Sequence, residues 1–179
     1  MAQRRLDEKT STFTIRTRAE GMLSKLAHDL ELVAEGVTAE IDIDGETWRA
    51  GLVFPVDGIA VVGTLDGDRL DRGGLNRIER MEIKRRLRKE VLPDRTVRVV
   101  AEGPSHGEGK MTLVGPKGQH EVPLQSLRVE TRDGGALVVE GRSWVSLRSL
   151  GIKEIKGPLG AFKVSDAVEL GFRVTISPA

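Results

Sequence analysis

The sequence predicts an all-β protein, an antiparallel sandwich or barrel with one inserted α-helix. Three observations predict it. Apolar residues recur at every second position in several runs. Asp-Gly steps punctuate those runs. A single stretch switches to helical spacing. At 179 residues the chain falls in the single-domain range and can bury a core without cross-links.

From the N-terminus, residues 1–10 (MAQRRLDEKT) are polar and carry no alternation, so they are expected to be disordered, with one domain over 11–179. Phe13, Ile15, Thr17 and Ala19 alternate with Thr14, Arg16 and Arg18, giving one inward and one wet face. Ile59 to Leu65 is apolar on both faces, so something is expected to cover its outer side. Left bare, that face would be a candidate for a homodimer contact. Val97 and Val99 flank Arg98, and Leu137 to Val145 is apolar on both faces in its first half. The last strand is the clearest: Val168, Leu170, Phe172, Val174 and Ile176 alternate with Glu169, Gly171, Arg173 and Thr175. Asp44-Gly45, Asp57-Gly58, Asp66-Gly67 and Asp133-Gly134-Gly135 supply the positive φ that tight hairpins need.

Asn76 to Leu92 reads as the helix. Asn76 can cap it, Glu79 completes a capping box, and Pro93 ends it. Ile83, Leu87 and Val91 fall on one stripe, whereas Leu75, Ile78 and Met81 fall on another side. The helix carries a basic cluster, Lys84, Arg85, Arg86, Arg88 and Lys89, diluted by Glu79, Glu82 and Glu90. Pairs such as Glu82–Arg85 and Arg86–Glu90 sit at salt-bridge spacing, so the bland account is a solvated helix face. The other account is a surface over 77–89 that contacts nucleic acid or an anionic membrane. Aromatic residues make up only 3%, and tyrosine is absent, which supplies few platforms for stacking RNA bases.

Motifs for catalysis are sparse. The chain has no cysteine, which removes disulfides and thiolate metal sites. His28, His106 and His120 share no metal-ligand spacing, and His106 and His120 lie in turn-like stretches. Ser105 lacks a nucleophile-elbow context, and Gly107-Glu108-Gly109-Lys110 lacks phosphate-loop spacing. His28-Asp29 could transfer protons, but a turn satisfying backbone groups is the preferred reading. Trp48 and Trp144 read as packed core or barrel rim, with Trp144 on an outer face, under the helix. No apolar segment of leader or membrane-span type appears, so the cytoplasm is the expected location.

The C-terminal third carries a resemblance. Arg148-Ser149-Leu150-Gly151-Ile152, followed by Gly157-Pro158-Leu159-Gly160-Ala161-Phe162-Lys163-Val164-Ser165-Asp166-Ala167-Val168-Glu169-Leu170, resembles the closing signature of YceI-like proteins. Met111-Thr112-Leu113-Val114-Gly115, Glu121-Val122-Pro123-Leu124, the helix end Val91-Leu92-Pro93, and Phe13-Thr14-Ile15 with the segment Ser24 to Leu30 are also similar to that family. The likeness runs in order from Ser11 to Ser177. One departure is Gly115-Pro116-Lys117, where members often carry G-V-T, so that turn is expected to be rebuilt. The resemblance implies an eight-stranded antiparallel, lipocalin-like barrel whose elongated apolar interior holds polyisoprenoids, isoprenoid quinones or fatty-acid-like chains.

An eight-stranded barrel is either filled by its own side chains or holds one small ligand. Val, Ile, Leu and Ala dominate the inward positions here, and medium side chains leave space. The expectation is a non-enzymatic lipid binder that stores or carries a long apolar chain and needs no cofactor or metal. Strand parity nominates Phe13, Ile15, Val61, Val97, Val99, Leu113, Val139, Leu170, Phe172 and Val174 as cavity lining, with His28 as a polar contact. The same alternation would also serve a barrel packed solid.

Overall fold

The computed structural model describes residues 2–21, 27–92, 96–104 and 108–178. The alternating runs form strands: β1 (Ala2–Leu6), β2 (Thr12–Thr17), β3 (Ala19–Glu20), β4 (Asp29–Ala34), β5 (Thr38–Asp44), β6 (Thr47–Pro55), β7 (Ile59–Asp66) and β8 (Arg69–Asp71). After the helix α1 (Arg77–Arg86) come β9 (Thr96–Pro104), β10 (Lys110–Gly115), β11 (Gly118–Pro123), β12 (Ser126–Thr131), β13 (Leu137–Ser146), β14 (Lys163–Val164) and β15 (Ala167–Pro178). Thirteen strands share one antiparallel sheet; β3 and β14 pair separately. The expected all-β class with one helix is what forms. The hydrogen-bonded path runs β11-β10-β9-β6-β5-β1-β15-β2-β4-β7-β8, with β12 and β13 branching from β15, and this ladder is not a closed eight-stranded ring.

The long β15 is the hinge of the architecture. One edge pairs with β13 from Ala167 to Ile176. The other pairs with β2 through Glu169–Arg173, then with β1 through Ile176–Pro178. The two halves of the sheet therefore share β15 and face each other. Leu32 from one half and Phe54, Val99, Met111 and Leu113 from the other meet in one buried cluster. Near the free edge, Leu124 N–H donates to Gly109 O at 2.8 Å, and Ser143 Oγ donates to Pro123 O at 2.8 Å, bringing the end of β11 to β13.

Residues 1–10 do not behave as expected of a disordered tail, because Ala2–Leu6 is a strand between β15 and β5. Ladder hydrogen bonds need only backbone, so two open strand edges recruit a polar segment that has no apolar alternation. Leu6 then packs against the core, and Arg4 Nη1 donates to Gly135 O at 3.0 Å.

The stretch from Asp71 to Leu75 packs closely along β7. A Cβ on Gly63 would lie 2.2 Å from Asp71 O, and one on Gly74 would lie 2.1 Å from Thr64 Oγ1, so both glycines permit this close approach. The register of β4 on β7 slips between Glu31 and Leu32, leaving Val62 without a partner. Such a bulge locally disrupts the ladder. Arg80 takes up the freed acceptors: its Nη1 donates to the carbonyls of Val61 and of Val62 (3.1 Å), and its Nη2 to Arg72 O at 2.5 Å. One guanidinium thus fastens α1 to β7.

The helix begins as its sequence requires. Asn76 Oδ1 accepts from Glu79 N at 3.0 Å, and Glu79 Oε2 accepts from Asn76 N at 2.8 Å, a capping box. It does not stay regular to Leu92. After Arg86 it widens into a π turn over Leu87–Val91, closed by Leu92 N–H to Leu87 O at 2.8 Å. The β10–β11 hairpin closes over Pro116-Lys117 with Gly118 at φ +109°, which places His120 in a strand opposite Leu113 instead of in a turn. Trp144 is 40% exposed on the outer face, so it does not lie under the helix. Trp48 Nε1 donates to Pro104 O at 3.0 Å. Ser105 and His106 lie outside the described residues.

Candidate functional site

Between the two halves of the sheet lies a cavity of about 720 Å³. Its walls come from inward positions of six long strands. Phe13 and Ile15 of β2, Leu30 and Leu32 of β4, Leu52 and Phe54 of β6, Val97 and Val99 of β9, Met111 and Leu113 of β10, and Leu170 and Phe172 of β15 all line it. Each pair sits two residues apart on its strand and so shares one face, but Leu30, Leu32, Leu52, Phe54 and Met111 were not among the residues nominated from sequence.

Seven of the ten nominated lining residues stand on the wall: Phe13, Ile15, Val97, Val99, Leu113, Leu170 and Phe172. Val61, Val139 and Val174 do not, and the reasons are tertiary. Val174 is buried with Ile41 and Ile176 in a second cluster, and Val139, its register partner, packs against that cluster. Their parity is inward as expected, but the interior is already filled at that end. Val61 packs against the main core beside the β7 bulge, where Arg80 holds its carbonyl.

Phe13 and Phe172 mark the boundary. They are register partners across β2 and β15, they line the cavity, and they also pack against the second cluster. They form the cavity floor. The ring of Phe172 lies over Gly141 of β13, where an added Cβ would come within 2.3 Å of Phe172 Cζ. Glycine at 141 is what lets this ring lie across the strand.

The mouth is built by three segments. The helix and its π turn contribute Ile78, Ile83, Leu87, Val91 and Leu92. The wider π turn has five residues per hydrogen-bonded step, and Leu87, Val91 and Leu92 all reach the cavity. The loop after β13 contributes Leu147, Leu150, Ile152, Ile155 and Phe162, and β14 at its end contributes Val164. Thr17 to Ala19 and Ala27-His28 form the third side. Arg86 ties the first two together: its Nη2 donates to Lys156 O at 2.8 Å, while Glu90 Oε2 accepts from the same nitrogen at 2.8 Å.

Charged groups, with His28 beside them, are confined to this mouth, where Arg18, His28, Glu79, Glu82 and Arg86 border the cavity. Most are already engaged. Arg18 pairs with Asp29 at 3.0 Å, Arg85 with Glu82 at 2.5 Å, and Arg88 with Asp57 at 2.5 Å. Arg85 first of all holds the Glu82 carboxyl below the usual carboxylate range, and Arg86 does the same for Glu90. Asp29 also accepts from Ala19 N at 2.7 Å, the turn-stabilising role preferred for the His28-Asp29 pair. Among the described residues no group of three His, Asp or Glu side chains is placed to hold a metal ion.

Asp166, inside the closing signature, has a structural task that the sequence alone did not assign. Its carboxylate accepts from Ser146 Oγ at 2.7 Å and from Arg148 N at 2.8 Å, and its carbonyl accepts from Leu147 N at 2.9 Å. The Ser146 hydroxyl and then the Arg148 amide hold this carboxyl below its ordinary range. Asp166 thereby fixes the start of the loop that forms one side of the mouth.

No protein-family model matches this sequence, and no curated protein sequence matches it. Solved structures do. The chain is similar to Burkholderia cenocepacia BcnA, with a TM-score of 0.61 and 13% identity over 95% of this chain and 98% of that one. It is also similar to a polyisoprenoid binding domain from Saccharophagus degradans implicated in plant cell wall breakdown, with a TM-score of 0.62 and 11% identity over 100% of this chain and 99% of that one. The chain therefore has the fold of these proteins along essentially its whole length. At this level of fold, the two neighbours support the YceI-like resemblance.

Proposed function

We propose that this protein binds one long apolar chain, a polyisoprenoid, isoprenoid quinone or fatty-acid-like lipid, in the cavity, and that it stores or carries that lipid without transforming it. The observation that carries the reading is the cavity itself: about 720 Å³ of space walled by Leu, Ile, Val, Met and Phe, with charge only at its mouth. An apolar chain gains about 0.8 kcal/mol per buried CH₂, so ten methylenes contribute about 8 kcal/mol before the cost of ordering the chain. Affinity of that size needs few polar contacts. The Saccharophagus degradans neighbour, described as a polyisoprenoid binding domain, supports a hydrophobic ligand for this chain. His28, which borders the mouth, is the residue this reading assigns to a polar contact with a ligand headgroup. No described helix is long and apolar enough to cross a membrane.

The test is native mass spectrometry of freshly purified protein, followed by organic extraction. A prenyl or acyl chain near one per protein is the expected result. A clean apo mass, unchanged after quinones, prenols and fatty acids are offered, would overturn it.

A further inference from the structure

We infer that the outer face of α1 is a docking surface for a bilayer containing anionic phospholipid, through which the cavity mouth meets its lipid source. This rests on the lipid-binding reading for its purpose, but not for its geometry. The helix has two faces. Ile83, Leu87 and Val91 turn toward the cavity, and none of them is exposed. The outward face carries Met81, which is 62% exposed, and beside it Ile78, 78% exposed, sits at the rim between that face and the mouth. At i,i+3 spacing Ile78 and Met81 are neighbours on the helix, so they form one small apolar patch and not two scattered side chains.

The neighbours of Met81 at three and four residues along the helix are Arg77, Ile78, Lys84 and Arg85, so the apolar pair sits among cations. Arg88 and Lys89 extend the basic face and are exposed. The acids that answer these charges are Glu82 on Arg85 and Asp57 on Arg88. Arg77, Lys84 and Lys89 have no ion pair among the described residues. The whole chain has a net charge of only +1, so this excess is local. Across the mouth, the loop tied to the helix by Arg86 and Lys156 presents Leu159, fully exposed.

Apolar tips ringed by Lys and Arg suit a lipid interface, where the tips enter the acyl boundary and the cations meet phosphate headgroups. A nucleic-acid surface would use the cations but gain little from Met81 and Leu159. The position at the cavity mouth adds a reason: a ligand leaving the bilayer there need not cross water.

The experiment is vesicle co-sedimentation of the full chain with phosphatidylcholine alone and with phosphatidylcholine–phosphatidylglycerol mixtures, at low and physiological salt. Two variants are compared. One is Arg77→Gln, Lys84→Gln, Lys89→Gln, which breaks no ion pair. The other is Met81→Ser, Leu159→Ser, neither of which lines the cavity. Uptake of a C20 prenol from cyclodextrin is measured separately for each. The expected result is binding that requires phosphatidylglycerol, weakens with salt, and falls about 100-fold in the cationic variant, roughly fivefold per cation. The apolar variant should lose about tenfold or more, while both variants take up the prenol as the native chain does. Equal binding to neutral vesicles, or vesicle binding unchanged in both variants, would overturn the proposal. So would duplex DNA binding as tight as vesicle binding and indifferent to the Met81 and Leu159 changes. Failure of the native chain to take up any prenol would instead overturn the lipid-binding reading, since that measurement uses no vesicles.

Discussion

The cavity floor sets a limit on ligand length, and Phe172→Ala should move it. The cavity measures about 720 Å³. A small molecule such as water takes about 30 Å³ in the liquid, and a methylene is of similar bulk, so the space holds about 24 carbons, close to five isoprene units. Below Phe13 and Phe172 the interior is solid with Ile41, Val174 and Ile176. Affinity for a series of prenols should therefore rise with each isoprene unit, then level off near the fifth. Phe172→Ala deletes a phenyl ring, about the bulk of one isoprene unit, and the plateau should move out by one unit. Phe172 is half-buried, so the change should cost less than the ~3–5 kcal/mol of a fully buried Phe→Ala. Leu170→Phe, which adds a ring to the same wall, should shift the plateau inward. The assay is a dissociation constant against chain length for each protein, with folding checked by circular dichroism. Affinity that keeps rising past eight units in the native chain, or a plateau that stays in place in both folded variants, would refute a floor at Phe13 and Phe172.

Other changes test the supports of this site. Gly141→Ala puts a Cβ against the Phe172 ring and should cost about 1–3 kcal/mol in urea unfolding; combined with Phe172→Ala most of that cost should vanish, and additive costs would argue against the contact. Arg80→Gln strips charged donors from the carbonyls of Val61, Val62 and Arg72, so stability should fall by about 1.5–3 kcal/mol and ligand release should quicken, with Arg80→Lys a poor rescue because one ammonium cannot span the fork. Asp166 has a folded pKa held below its unfolded value. Its stabilising contribution is therefore complete above the unfolded value near about 4 and is lost as pH falls through the lower folded value. The urea midpoints of the native chain and Asp166→Asn should thus differ at neutral pH and converge in acid; a gap that persists at the lowest pH would contradict this. Asn76→Ala should remove about 1 kcal/mol by breaking the capping box, seen as a lower urea midpoint.

Much of this protein is local and was therefore readable without coordinates. Alternation is a property of a strand's own residues, so β2, β9 and β15 announce their inward faces, and Phe13, Val97, Val99 and Leu170 reach the cavity as their parity requires. The capping box is likewise contained in four consecutive residues, Asn76 to Glu79. What parity cannot tell is whether an inward side chain meets a void or another side chain. Val139 and Val174 point inward like Leu170, yet they meet Ile41 arriving from β5, packed with Ile176 of β15 itself, and leave no space. The bulge at Val62 and the pairing of the polar segment Ala2–Leu6 depend on which strand edges lie nearby, which no local pattern encodes. The π turn that carries Leu87 and Val91 to the mouth was not visible in a helical period either. The amino-acid pattern thus determined the class of fold and the parts of the wall on β2, β9 and β15. The meeting of residues far apart in the chain decided where that wall encloses empty space, because a cavity is a property of opposing surfaces and not of any one strand.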